Sequence, residues 1–221
     1  MSWFSSTFSS SIGRKFAMAL SALFLVFFLL MHLTTNMLSV FSANAFNEAS
    51  HFMGTNPVVQ FLLQPVLIAA VVFHFVMGFI LEAKNKAARP VKYAKKDTGN
   101  ATWISQNMIY SGLVILAFLV LHFIDFWVPE MNYKYIEQLP AVTDRYYGEL
   151  VHKFQNPVRV VAYVIAFVLL SLHLLHGFQS SLQSSGINNK FTPGIKKFTE
   201  IYAIAIPLGF VLIAIYHFIN H

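Results

Sequence analysis

The chain has 221 residues, is 57% hydrophobic and carries 11% charged residues, under half of the roughly 25% usual in soluble domains. Its apolar residues lie in long unbroken runs, which excludes an ordinary soluble core and implies a single membrane domain over residues 1–221. The formal charge of +6 does not mark a nucleic-acid binder, because the basic residues flank apolar segments, and the absence of cysteine excludes disulfides, thiolate-held clusters and a thioether-attached haem.

Five segments reach the ~20 residues that a helix needs to cross a bilayer. The first is expected at 14–40. Its apolar run from Phe16 to Val40 is too long for a signal-peptide core and reads as a retained helix; it holds His32 in Leu-Leu-Met-His-Leu-Thr-Thr-Asn. The second, 58–82, follows Pro57, which suits a helix start, and contains His74-Phe-Val-Met-Gly78-Phe79. The third, 103–128, is bracketed by Trp103 and Trp127, as interfacial tryptophans often are, and holds His122. The stretch from Pro129 to Asn156 is long for a loop in a compact bundle. Within it Thr143-Asp-Arg-Tyr-Tyr-Gly-Glu-Leu is expected to start a short interfacial helix or to form a lid. The fourth segment, 157–180, opens on Pro157 and contains His173-Leu-Leu-His-Gly177-Phe178. The fifth, 199–219, contains Pro207, expected to kink it, and His217.

Charge orients the bundle. Arg14, Lys15, Lys84, Lys86, Arg89, Lys92, Lys95, Lys96, Lys190, Lys196 and Lys197 fall on one side. Lys134, Arg145, Lys153 and Arg159 fall on the other, offset by Glu48, Glu130, Glu137, Asp144 and Glu149. The positive-inside rule then puts the N-terminus in the cytoplasm and the C-terminus outside. Topology and anionic lipid account for the basic run, which could also seat a soluble partner.

Orientation turns position into depth. His32 lies 18 residues beyond Arg14 and His122 lies 19 beyond Trp103, so both rise about 27–28 Å toward the outer face at about 1.5 Å per residue. His74 precedes Lys84 by ten residues and His173 precedes Gln179 by six, about 15 and 9 Å from the inner boundary. The four therefore sort into an outer pair, His32 with His122, and an inner pair, His74 with His173. One histidine in a bilayer can simply bond across helices, but ionisable groups there are rare and usually functional. Four at matched depths read as axial ligands of two non-covalent b haems, held between facing helices. The spacings, 90 residues between the outer pair and 99 between the inner, suggest a weak duplication of helices one and two as three and four. Gly78 and Gly177 each lie one turn past an inner histidine on the same face, leaving room for a flat macrocycle; helix–helix contact is the competing reading. His176, one turn from His173, competes with it as the ligand. His217 reads as structural or interfacial, and His51, His152 and His221 as solvated.

Two bis-histidine haems leave no open iron position, so they pass electrons. The chain has no flavin, nucleotide or cluster motif, so the soluble redox centres belong on partner subunits and the membrane partner is a lipid-soluble quinone. In its five helices, one histidine on each of the first four, and H-x-x-x-G in the fourth, the whole chain resembles the cytochrome b membrane subunit of bacterial succinate dehydrogenase and fumarate reductase, of the di-haem, five-helix cytochrome b558 type. The resemblance implies an all-α bundle holding two b haems, with the outer haem on His32 and His122 and the inner on His74 and His173. It implies flavoprotein and iron–sulfur subunits on the cytoplasmic face of a bacterial inner membrane. It also implies electron passage between succinate or fumarate and a quinone, usually menaquinone. The family's quinone-site acid does not map cleanly; Glu48 and Asn36 are the candidates, and Gln179 and Gln183 could meet inner haem propionates. Competing readings are the cytochrome b anchor of a hydrogenase or formate dehydrogenase, and a haem-free transporter with a histidine proton relay.

Overall fold

The computed structural model describes residues 10–87, 108–187 and 192–221, and all the regular structure in them is helical. Trp103 and the basic residues at 89–96 and 190 lie outside the described residues. The elements are α1 (Ser11–Phe41), α2 (Ala43–Thr55), α3 (Val59–Ala87), α4 (Met108–Ile136), α5 (Arg145–Phe154), α6 (Pro157–Ser184) and α7 (Thr192–Asn220). Of these α1, α3, α4, α6 and α7, each of 28 to 31 residues, are long and apolar enough to cross a membrane. That is the architecture of a multi-pass membrane protein.

Short polar side chains punctuate the helices. Ser42 leaves α1 in an extended conformation while its N–H still donates to the Leu38 carbonyl at 2.8 Å. Its hydroxyl then accepts from the Ala45 N–H at 3.2 Å and opens α2. Asn56 and Asn156 do the same for the turns that start α3 and α6, each accepting from two successive N–H groups. Pro157 sits at the first position of α6, where no N–H is needed. Gly186, at φ 84°, closes α6: its own N–H reaches the Gln183 carbonyl and that of Ile187 the Leu182 carbonyl, the paired bonds of a Schellman cap.

The third span departs from expectation. It was predicted to stop near 128, yet α4 runs to Ile136 and takes in Pro129. A π-helical turn over Phe123–Trp127 comes just before the proline and a second covers Asn132–Ile136. The widened turn re-registers the backbone bonds around a residue with no N–H, so the proline does not end the helix. The predicted loop from Pro129 thus shrinks to 137–144. It is followed by the expected short helix, α5, which packs Leu150, Val151 and Phe154 inward. α7 likewise runs unbroken through the buried Pro207 and begins seven residues earlier than expected.

The packing defines a ring. α1 lies against α3 and α6, α3 against α4, and α4 against α6. These contacts close a four-helix ring in which α1 stands diagonally across from α4, and α3 across from α6. α7 packs outside the ring against α6 and α1, helped by Ala203, Gly209 and Ala214, whose small size lets backbones approach. Tyr202 of α7 also donates to the Val26 carbonyl of α1 at 2.5 Å. α3 is the peripheral member and has no buried residue; its outward apolar side chains suit lipid rather than water. α2 and α5 pack together over one end of the ring. There Asn47 accepts from the Tyr147 N–H at 2.7 Å and donates to the Asp144 carbonyl at 3.2 Å.

Candidate functional site

The ring places the histidines on opposite corners. His32 of α1 faces His122 of α4 with ring centroids 5.8 Å apart, and His74 of α3 faces His173 of α6 at 6.4 Å. All four rings are half-buried. A metal bound by two imidazoles needs a bond of roughly 2 Å on each side, which with a ring radius near ~1.2 Å sets the centroids about 6.4 Å apart. One pair meets that spacing and the other falls a few tenths of an ångström short of it. Among the described residues no three of His, Cys, Asp and Glu gather as a site for a bare metal ion. The donor chemistry is therefore two neutral imidazoles per site, which suits a metal that brings its own equatorial ligands, as haem iron does.

Each member of the 74/173 pair is held by a serine from the adjacent helix. Ser21 of α1 lies 3.2 Å from His74 Nδ1, and Ser111 of α4 lies 3.1 Å from His173 Nδ1. Both hydroxyls already donate their single hydrogen to a carbonyl three residues back, Met18 and Met108, at 2.8 Å. With that hydrogen on the carbonyl, each serine oxygen is placed to accept from Nδ1–H, an arrangement that leaves the Nε2 lone pair free. That is the tautomer a metal ligand requires.

The 32/122 pair is built differently. Phe28 stacks on His32 at 5.3 Å and Phe118 lies tilted on His122 at 5.9 Å, each one turn before its histidine. His122 Nδ1 is buried without a hydrogen-bond partner among the described residues. His32 Nδ1 faces only the Asn36 amide of its own helix, at 3.4 Å, and that amide also donates to the His32 carbonyl at 2.8 Å. Three residues past His122, inside the π-helical turn, Asp125 is 2% exposed. It accepts from the Tyr163 hydroxyl at 3.0 Å and stands 3.4 Å from Arg159 and 3.9 Å from Lys153. Tyr163 in turn contacts the His122 ring edge-on at 6.2 Å. Nearby, a groove of about 760 Å³ opens between α3 and α4, lined by apolar residues with Gln60, Gln64, Trp127 and Tyr135. Outside the spans, Arg145 joins Glu130 and Glu149 and stacks over Tyr133 and Tyr146 at 4.1 and 4.2 Å. Burial alone would lower its guanidinium pKa, but the two carboxylates hold it above its ordinary value.

The other expected site residues fall as follows. Among the described residues a Cβ on Gly78 would meet the Met18 methyl at 3.6 Å, and one on Gly177 the Met108 methyl at 2.9 Å and the His173 ring at 3.9 Å. The space beside each glycine thus adjoins a flexible thioether. His176 makes no hydrogen bond or ring contact among the described residues, whereas His173 has both, so geometry favours His173. Glu48 is exposed and holds only Asn44, at 3.2 Å. His217 is fully buried and bonded to Ser39 at 2.9 Å, a structural role as expected. His51, expected to be solvated, instead sits half-buried on α2 against Tyr146, because α2 is an amphipathic helix rather than a loop. His221 is exposed yet contacts the Tyr147 hydroxyl at 3.0 Å, and His152 is exposed.

Sequence reasoning missed Ser21, Ser111 and Asp125. A signal for the serines existed. Met18-x2-Ser21-x10-His32 recurs as Met108-x2-Ser111-x10-His122, with Phe28 and Phe118 in register, all at an offset of 90 residues. Comparison of the chain with protein-family models, with characterised proteins and with solved structures returned no match.

Proposed function

We propose that this chain is the di-haem, quinone-reactive membrane subunit of a succinate:quinone oxidoreductase. The observation that carries the reading is the pair of histidine couples facing each other across the two diagonals of one helix ring, with ring centroids 5.8 and 6.4 Å apart. In this reading His32 with His122 would hold one haem and His74 with His173 the other. Serine and histidine are 11 residues apart on both α1 and α4, so the two sites lie about 16 Å apart along the bundle at about 1.5 Å per residue. Haem in these sites supplies one-electron transfer. The chain's own part is to fix the ligand tautomers, exclude water and hold the two sites at a set distance. Flavoprotein and iron–sulfur subunits would dock on the cytoplasmic side, at the 74/173 end, and the N-terminus would lie on that side. At the 32/122 end the groove between α3 and α4 is open laterally, a route by which menaquinone in the bilayer could approach. Asn36 belongs to that end by contact with His32, while Glu48 has no contact that favours it.

The test is a pyridine haemochrome assay on the purified complex, with two b haems per chain expected. His74→Ala and His173→Ala should each remove the same spectral component, and His32→Ala and His122→Ala the other. A colourless protein, or one haem per chain, overturns the reading. The identity of the co-purifying soluble subunits separates it from a hydrogenase or formate dehydrogenase anchor.

A further inference from the structure

We propose that Ser21 and Ser111 are positioning residues that lock His74 and His173 in the metal-binding tautomer, and that this lock serves one of the two sites only. The proposal rests on the di-haem reading above and names how one of its sites is built.

Three observations converge on it. The first is the direction of the hydrogen bonds. Each serine hydroxyl is in donating geometry to the carbonyl three residues before it, which leaves its oxygen placed to accept from histidine Nδ1. The second is recurrence. The same contact is made twice, on two different helix pairs, by residues 90 positions apart that share their offset with Met18 and Met108. Serine within a helix interior commonly bonds its own backbone and does no more. Here both copies of that bond leave the oxygen aimed at a histidine on the adjacent helix. The third is contrast. Among the described residues His122 Nδ1 has no hydrogen-bond partner, and His32 Nδ1 contacts the Asn36 amide nitrogen of its own helix at 3.4 Å. The 32/122 pair therefore lacks an acceptor brought by a second helix.

The physical consequence is specific to the 74/173 site. A hydrogen bond from Nδ1–H fixes ring orientation and raises the basicity of Nε2. A more basic axial ligand favours ferric over ferrous iron, and so lowers the potential of that haem relative to the same site without the serine. Loss of such a partner typically costs about 10–100-fold in metal-site affinity or activity.

The experiment is redox titration and low-temperature EPR of the full complex carrying Ser21→Ala, Ser111→Ala, Ser21→Thr or Ser111→Thr. His74→Ala identifies which spectral component belongs to the 74/173 site. Each alanine variant is expected to raise the potential of that component, shift its low-spin ferric g values and leave the other haem unmoved. Threonine keeps a hydroxyl that can make the same backbone bond, and is expected to restore both. Unchanged potential and g values in both alanine variants overturn the proposal. So does an equal shift of both haems, or a threonine variant that behaves as alanine. A wild-type complex without haem overturns the functional reading and the lock together. Two haems with an indifferent Ser21→Ala variant overturn the lock alone.

Discussion

Asp125→Ala should destabilise the folded bundle by about 2–4 kcal/mol, and the structure says where that comes from. The carboxylate side chain is 1% exposed and its Oδ2 accepts from Tyr163, itself 2% exposed. Removing the acceptor leaves a buried phenol hydroxyl without a partner, at a cost of about 1–3 kcal/mol. The ion pairs add less. Arg159 and Lys153 are 35% and 33% exposed, and solvent screening holds each such pair to about 0.2–1 kcal/mol. Asp125→Asn keeps an acceptor for Tyr163 and loses only the charge, so it should cost about 0.4–2 kcal/mol, the worth of the two ion pairs. The decisive measurement is a double-mutant cycle with Tyr163→Phe, read as thermal midpoints of the four proteins in one detergent. If the two groups act through one hydrogen bond, Tyr163→Phe should cost nothing further in the Asp125→Ala background, a coupling of about 1–2 kcal/mol. Two results would refute this reasoning: additive effects in the cycle, or an asparagine variant as damaged as alanine.

Gly209 tests the seat of α7 on α1. A Cβ there would lie 2.9 Å from both terminal carbons of Leu33 and 3.4 Å from its Cγ. Gly209→Val should therefore lower the thermal midpoint through overpacking worth about 1–3 kcal/mol, and Leu33→Ala in the same chain should recover part of it; no recovery would mean that the contact is not the cause. Orientation can be tested with single cysteines, since the chain has none of its own. Glu149→Cys should react with a membrane-impermeant maleimide in intact cells and Lys86→Cys only after lysis, and the reverse pattern would invert the proposed topology.

The spans were legible because bilayer crossing is a property of composition and length, and both are one-dimensional. Depth pairing of the histidines needed only helical rise, so it too could be read from the chain. Other features were hidden for identifiable reasons. The length of α4 depends on two π-helical turns, which leave no mark in an apolar pattern; Pro129 pointed the wrong way, since a proline after an apolar run is an ordinary stop signal. Nothing in the linear sequence singles out Asp125, which falls within the last residues of the span expected at 103–128. Once α4 continues and α5 brings Lys153 and Phe154 against it, the same residue is buried. Ser21 and Ser111 were overlooked because serine is common in membrane helices and its usual bond is to its own backbone. Only the lateral neighbour gives it a further role, and neighbours are set by the ring.

The repeat explains why the ring works and where it stops being symmetric. Helices α1 and α4 share an offset of 90 residues, and α3 and α6 share 99. Two copies of one helical hairpin packed as a ring put equivalent positions on opposite corners, so each histidine meets its own counterpart across a diagonal. The same operation carries Ser21 onto Ser111, and the 74/173 end is symmetric down to its hydrogen bonds. The 32/122 end is not. At the shared offset Thr35 stands where α4 has Asp125, and Asn36 where it has Phe126. A site that only passes electrons has no need of such a difference. Quinone chemistry moves protons as well, and demands titratable groups on one side of the acceptor. In the proposed function the positions that break the repeat would supply them: a carboxylate buried beside a tyrosine, with two half-exposed cations leading outward. In the proposed function the broken symmetry therefore falls at the end where protons must be exchanged.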